Sequence, residues 1–330
     1  MLSPLALLAL VIVLSVTFDF INGFHDTANA IATSVSTRVL TPQAAIAMAA
    51  ALNILGALVG TSVARTIGTG IVEPIAVTQV TVVAALMSAI SWNLLTWYFA
   101  MPTSSSHALI AGIIGASVQA GGWGVLNSGG VGTIFASLLV SPVAGLIAGF
   151  GVMIALFWVF RRATPSSVNG YFRHLQVASA AFMAFSHGSN DAQKTMGVMT
   201  MALVSYGALT SFEVPAWVIV LAAVAMGLGT AAGGWKIIKT LGVRLVSLTP
   251  VHGFAAETSA GLIIQLATHF GLPVSTTHVI AASIMGVGAS RRLSAVRWGV
   301  AGNIVLAWVL TLPVTALFAF VYRYLLGFLV

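Results

Sequence analysis

The sequence predicts an all-α integral membrane protein. It is built from two inverted-topology repeats of about six hydrophobic segments each, with discontinuous helices or re-entrant hairpins at its polar motifs. Three observations carry this expectation. Of the 330 residues, 59% are hydrophobic and only 6% are charged, with a mean hydropathy of +1.05. A soluble domain carries about 25% charged residues. Apolar stretches near the length of about 20 residues that a membrane-spanning helix needs recur along the whole chain. Finally, a polar cluster stands in each half, PTSSSH at 102–107 and PVSTTH at 273–278, 171 residues apart.

Taken in order, the apolar segments fall near 3–21, 24–37, 43–63, 76–99, 104–120 and 131–160, then 174–187, 190–206, 215–235, 251–270, 275–290 and 296–325. The first stretch, LALLALVIVLSVTFDFINGF, has no basic leader and no small-residue cleavage site, so it reads as a retained helix. The polar stretch RRATPSSVNGYFRH divides the chain, giving an N-terminal transmembrane repeat at 1–160, a short cytoplasmic linker at 161–173 and a C-terminal repeat at 174–330. At the spacing of the two polar clusters, Pro142 also meets Pro313. Near the start of each half GFHDTANAIAT faces HGSNDAQKTMG, with Asp26 over Asp191. Ordered pairs of this kind indicate duplication.

Charge sets the expected orientation. The bases Arg161, Arg162 and Arg173 lie in the linker. Lys236, Lys239 and Arg244 follow the third segment of the second half, and Arg291, Arg292 and Arg297 its fifth. The matching connections of the first half carry only Arg65 with Glu73, and then no base, whereas Arg38 follows its second segment. Under the positive-inside rule this asymmetry fits halves of opposite orientation, with both termini outside. The scheme requires the first two segments of each half to make one net crossing, as discontinuous helices, and the fourth and fifth to return to the side they left. Inverted repeats with broken elements meeting at mid-membrane are a frequent transporter plan. The net charge of +7 is then a topology signal; no basic tail or basic–aromatic run suggests nucleic acid. With no cysteine there is no disulfide or thiol chemistry.

Six acidic residues are present. Glu73 and Glu213 fall in loops. Asp19, Asp26, Asp191 and Glu257 fall in or beside apolar segments, where a carboxylate is costly and functional by default. Asp19 has a blander reading as an interfacial or backbone-capping group. Asp26 and Asn29 share a helix face at a spacing of three, which suits a small cation or a titrating proton, and Gly23 permits a break before them. In the second half Asn190 and Asp191 are kept, but Lys194 takes the position of Asn29. An ammonium there pairs with Asp191, receives an anion, or does each in turn; snorkelling is its bland reading. Pro102 and Pro273 suit the first turn of a new helix. Ser104, Ser105 and Ser106, and Ser275, Thr276 and Thr277, then stand among free N–H groups at positive helix ends, a ready oxyanion site. Ordinary capping is the alternative for either cluster alone. His25 and His187 flank the Asp motifs and suit proton movement. His107 and His278 anchor the hairpins. Their spacing makes a zinc site a weak reading, and no metal ligand set is assigned. No Walker A, G-x-S-x-G or H-E-x-x-H motif is present, and no cofactor is expected.

GFHDTANAIAT, HGSNDAQKTMG, PTSSSHALIAGIIG and GLPVSTTHVIAAS resemble the signatures of the inorganic phosphate transporter (PiT) family. The HDTANA form and SWNLLTWYFAMPTSSSH are similar to those of its bacterial low-affinity phosphate permeases. The resemblance implies a secondary transporter in the bacterial inner membrane, in contact with lipid and often a homodimer. It carries over phosphate ligands as Asp26, Asp191, Ser104, Ser105, Ser106, Ser275, Thr276 and Thr277, with Lys194 added here. Asp26, Asn29, Asn190, Asp191, Glu257 and His25 are the expected coupling-ion or proton residues. Glu257 matches an acidic family position, with Asn53 as its expected counterpart in the first half. Sodium-coupled members tend to show Asn-Asp-x-x-Asn in both halves; here His25 replaces the first Asn and Lys194 the last. The expectation is therefore phosphate import by proton symport, the phosphate entering as a neutral complex with a divalent metal. Sodium-coupled symport and sulfate permeation are the alternatives within the family. An aspartate favours phosphate, because HPO₄²⁻ has a proton to donate and sulfate has none. A passive channel or an intramembrane Ser-His-Asp hydrolase would come from other classes, and the duplicated Ser/His elements speak against the second.

Overall fold

A computed structural model of the chain describes residues 3–73 and 77–328, apart from the side chains of residues 235 and 236. The expected start of the fourth segment at 76 and the Lys236 side chain lie outside the described residues. The first half contains α1 (Pro4–Ser36), α2 (Pro42–Ala57), α3 (Ser62–Gly70), α4 (Gln79–Tyr98), α5 (Ser105–Gly121) and α6 (Ser128–Val159). The second contains α7 (Pro165–Tyr206), α8 (Ala216–Ala232), α9 (Trp235–Lys239), α10 (Pro250–His269), α11 (Thr276–Arg291) and α12 (Trp298–Leu326). A π-helical turn at Thr240–Leu245 continues α9. No strand occurs among the described residues.

Local chemistry sets the helix starts. Ser3, Thr41 and Thr164 each hold an extended N-cap conformation, accept a backbone N–H of the first turn, and are followed by proline at the first helical position. Thr164 therefore ends the connection between the halves, and residues 165–173 are already the first turns of α7.

The protein is a multi-pass membrane protein. Among the described residues four helices, α1, α4, α6 and α12, are long and apolar enough to cross a bilayer. Counting the bent pairs α2 with α3 (69°) and α8 with 237–245 (70°) as single spans brings the total to six. α6 and α12 present Leu139, Val140, Ile147, Leu306 and Val309 outward, as lipid contact requires. The longest helix, α7, is not among the candidates, because Ser186–Thr195 is mostly polar and wholly buried. Along α1 one apolar core ends at Phe18 and a second begins at Ala28; along α7 the change falls between Ala184 and Ala192. The polar residues between those points form the middle of the molecule. Many buried hydroxyls there satisfy themselves by bonding the carbonyl four residues back, as Thr27 does to Gly23 and Thr230 to Met226.

The packing partners exchange between halves: α1 lies on α8 and α7 on α2, while α6 lies on α11 and α12 on α5. The expected break in α1 and α7 at the Asp motifs does not occur; both helices run through them unbroken. Gly23 serves close approach instead. A Cβ there would stand 2.4 Å from Met226 O, and one on Gly229 2.0 Å from Phe20 O. The α2–α7 crossing repeats this, with Gly56 against Phe185 O (2.1 Å) and Gly188 against Asn53 O (2.2 Å). Small residues at crossings are how membrane helices approach without a hydrophobic driving force. Overpacking costs about 1–3 kcal/mol where neighbours can shift; here the neighbour is backbone. Gly56→Val is accordingly expected to destroy the monodisperse peak of the detergent-solubilised protein, whereas Gly151→Val, with nothing within 4 Å, should leave it intact. Size-exclusion chromatography reads both.

Candidate functional site

The two hydroxyl clusters open α5 and α11. Ser104 caps α5, accepting from His107 N at 3.1 Å, and Ser275 caps α11, accepting from His278 N at 3.2 Å. The expected place of the prolines is corrected: helix begins at Ser105 and Thr276, so Pro102 and Pro273 lie in the extended approach to each helix, outside its first turn. Their carbonyls are held across the molecule, Pro102 O by Trp308 Nε1 (3.1 Å) and Pro273 O by Ser137 Oγ (2.7 Å). With the first serine of each cluster serving as cap, the next two hydroxyls are turned to the Asp motifs.

α1 and α7 supply those motifs, and the contacts follow one pattern twice. Ser105 Oγ donates to Asp26 Oδ2 at 2.9 Å, as Thr276 Oγ1 donates to Asp191 Oδ2 at 3.0 Å. Asn29 Nδ2 donates to Thr277 Oγ1 at 2.8 Å, and Thr277 donates to Asp26 Oδ1 at 3.3 Å. In the mirrored place Lys194 Nζ bonds Ser106 Oγ and Asp191 Oδ1, and also Val274 O at 2.9 Å. Each half thus presents its second hydroxyl to its own aspartate and its third to the other half. All of these side chains are buried.

The residues before the two aspartates play different parts. His25 Nδ1 lies 2.7 Å from Asp26 Oδ1, and its Nε2 is 3.2 Å from Thr96 Oγ1. Asn190 instead reaches Thr268 Oγ1 (2.8 Å) and accepts from Val274 N (3.4 Å), holding the approach to α11. His187 brings Nε2 to 3.3 Å from Asp191 Oδ2, with Nδ1 on Asn53 Oδ1 at 3.0 Å. One ligand atom each of Asp26, His187 and Asp191 lies within 4.8 Å of the others. Two carboxylates this close repel in a dry interior and need compensation. Lys194 supplies it for Asp191, and His25 faces Asp26.

Glu257 stands apart from this cluster. Thr33 and Ser179 donate to its two oxygens, and Gln176 Nε2 lies 3.3 Å away. Asn53 is not its counterpart: it sits on α2 and bonds Thr230 Oγ1 at 2.8 Å. On α4 it is Leu86 that stands as far before Pro102 as Glu257 stands before Pro273. A carboxylate is therefore built into one half only. The sequence also gave no warning that His107 and His278 meet. Their ring centroids are 4.5 Å apart, and His278 stacks on Trp308 at 3.9 Å. Their equal place after each hydroxyl cluster was the one signal available.

Taken together, two helix N-termini, four hydroxyl donors, two carboxylates and one ammonium converge at the buried centre of a multi-pass helical protein. Such a site has the donors and the positive charge that a small oxyanion needs, and among the described residues none of its four hydroxyls bonds a histidine as a nucleophile bonds its general base. The chain belongs to the phosphate transporter family PHO4, whose model matches residues 22–319. It is 47% identical to a probable low-affinity inorganic phosphate transporter of Bacillus subtilis over 94% of this chain and 95% of that protein. To the protein of the same description from Rhizobium meliloti it is 48% identical, over 94% of each. Among solved structures, a sodium-dependent phosphate transporter superposes with a TM-score of 0.90 at 26% identity, over 98% of this chain and 100% of that one.

Proposed function

We propose that this protein imports inorganic phosphate by proton symport, binding it at Asp26, Ser105, Ser106, Asp191, Lys194, Thr276 and Thr277, with Ser104 and Ser275 shaping the helix ends. The hydroxyls and N-terminal N–H groups receive phosphate oxygens, while a P–O–H group donates to a carboxylate. That last bond favours phosphate over sulfate. Asn29, Asn190, His25 and Glu257 belong to the coupling path. The two halves, on either side of a cytoplasmic connection that ends at Thr164, sit inverted in the bacterial inner membrane with both termini outside, and two chains pair as a homodimer. Phosphate travels as a neutral complex with a divalent metal, which the nearby aspartates tolerate better than a bare dianion.

The observation that carries proton coupling is Lys194. Its ammonium lies on Asp191 and Ser106 in the place that Asn29 occupies in the other half. A fixed cation there leaves no room for a sodium ion against Asp191. Sodium coupling is the second reading, supported by the described function of the structural neighbour. Uptake of labelled phosphate into proteoliposomes under an imposed pH gradient or sodium gradient separates the two. Accumulation driven by the pH gradient alone is expected. Accumulation that requires sodium would overturn the proton reading.

A further inference from the structure

Asp19 takes no part in the cluster just described, yet it is fully buried. It lies on α1 two turns before Asp26, on the same face of the helix. Neither carboxylate oxygen receives a well-aligned hydrogen bond, although Thr195 and Asn22 lie close enough to interact with it. Asn22 and Thr195 are the polar side chains facing it, and the Thr195 hydroxyl is likewise buried and without a well-aligned partner. One turn earlier on α1, Ser15 Oγ is also buried and unpartnered. Leaving a carboxylate ionised with only weakly placed donors and no paired counter-ion is expensive in an apolar interior. Such a group persists as the neutral acid, or it exchanges a cation in the course of function.

The surroundings favour a proton. Elements packed on α1 bring few charges toward Asp19. α8 and α2 carry no ionisable side chain, and α4 carries only Tyr98 at its far end. α9 and its continuation carry Lys236, Lys239 and Arg244 and pack on α1 from Phe24 onward, Glu257 of α10 meets Thr33, and α11 carries His278 and Arg291. From α7 the charges acting on Asp19 are those of Asp191 and Lys194. His25 and Asp26 follow on α1 itself. A link to the anion cluster also exists. Asn22 Oδ1 accepts from Ser105 Oγ, the same hydroxyl that bonds Asp26. One hydroxyl has one proton, so these two donations are alternatives. Ser105 is thus shared between the neighbour of Asp19 and the phosphate ligand Asp26.

We infer that Asp19 is the carboxylate that carries the coupling proton, distinct from the phosphate ligands and joined to them through Asn22 and Ser105. This rests on the proton-symport reading above. When Asp19 holds its proton, Asn22 faces a neutral group; when the proton leaves, the amide of Asn22 is drawn to the anion and releases Ser105 to Asp26.

The test compares the wild-type protein with Asp19→Asn and Asp19→Glu in proteoliposomes, reading accumulation of labelled phosphate under a pH gradient and phosphate–phosphate exchange without one. A gradient of one pH unit is worth about tenfold in accumulation per coupled proton. Asp19→Asn is expected to lose that factor while keeping exchange, and Asp19→Glu to retain part of it. Accumulation by Asp19→Asn equal to wild type would overturn the assignment. Loss of exchange together with accumulation would also overturn it, placing Asp19 in the phosphate site or the fold. If wild type itself ignores the pH gradient, the symport reading fails first, and that result is seen without any variant.

Discussion

Asp191→Asn is expected to abolish phosphate transport and to destabilise the protein, whereas Asp191→Asn combined with Lys194→Met should recover stability without recovering transport. Asp191 and Lys194 form a buried ion pair three residues apart on α7. Removing one partner of such a pair costs about 3–5 kcal/mol, because the other charge is left buried and alone. Replacing both by groups of similar volume is often neutral or better. Lys194 also has Ser106 Oγ and Val274 O as acceptors, which places the single variant toward the lower end of that range. Losing Lys194 as well leaves no orphan charge. Ser106 Oγ keeps its bond to Val274 O at 3.2 Å, and Asn29 shows that the mirrored position accepts a neutral side chain. Transport does not recover, because the ammonium and the Thr276-bound carboxylate are both gone. Thermal melting in detergent and uptake assays read the two effects apart. Equal melting temperatures for the single variant and wild type would contradict the buried pair.

The duplicated motifs were legible because they violate the composition around them. A run of three hydroxyls or an Asp in a chain this apolar stands out, and its repetition gave the site its two sides. That a new helix starts at each cluster followed from the same residues, but its first turn begins at Ser105 and Thr276, after the prolines the sequence had placed there. Other features were hidden for physical reasons. Gly23 reads equally as a break or as a close contact, and only the position of α8 decides between them. Asn53 was matched to Glu257 by position alone, but whether two residues correspond depends on which helix follows which bend, and the glycines at Gly60 and Gly233-Gly234 mark a break without saying which helices it joins. The partners of Glu257 (Thr33, Gln176 and Ser179) come from two distant helices and carry no local pattern. The meeting of His107 with His278 depends on how α5 and α11 are placed against each other, which neither segment encodes alone.

Ser105→Ala and Thr276→Val each remove one donor to a buried carboxylate, and the two losses should not be equal. A hydrogen bond to a charged group contributes about 1.5–3 kcal/mol, which corresponds to roughly ten- to a hundredfold in transport efficiency if the bond is kept in the transported complex. Thr276 serves one acceptor, Asp191 Oδ2, and that oxygen still has His187 beside it. Ser105 serves both Asp26 and Asn22, so its loss orphans the Asn22 carbonyl as well. Asp26 retains His25 and Thr277 on its other oxygen only. Ser105→Ala is therefore the more damaging of the pair, and it alone should also disturb coupling to Asp19. If Asp26 and Asp191 serve one anion as proposed, the double variant should lose less than the product of the single losses, because near neighbours in one network are not additive. Initial rates of labelled phosphate uptake for the four proteins, normalised to protein in the membrane, measure this. Strictly multiplicative losses would mean that the two helix ends act on phosphate independently, and full activity in both single variants would return the hydroxyls to simple capping.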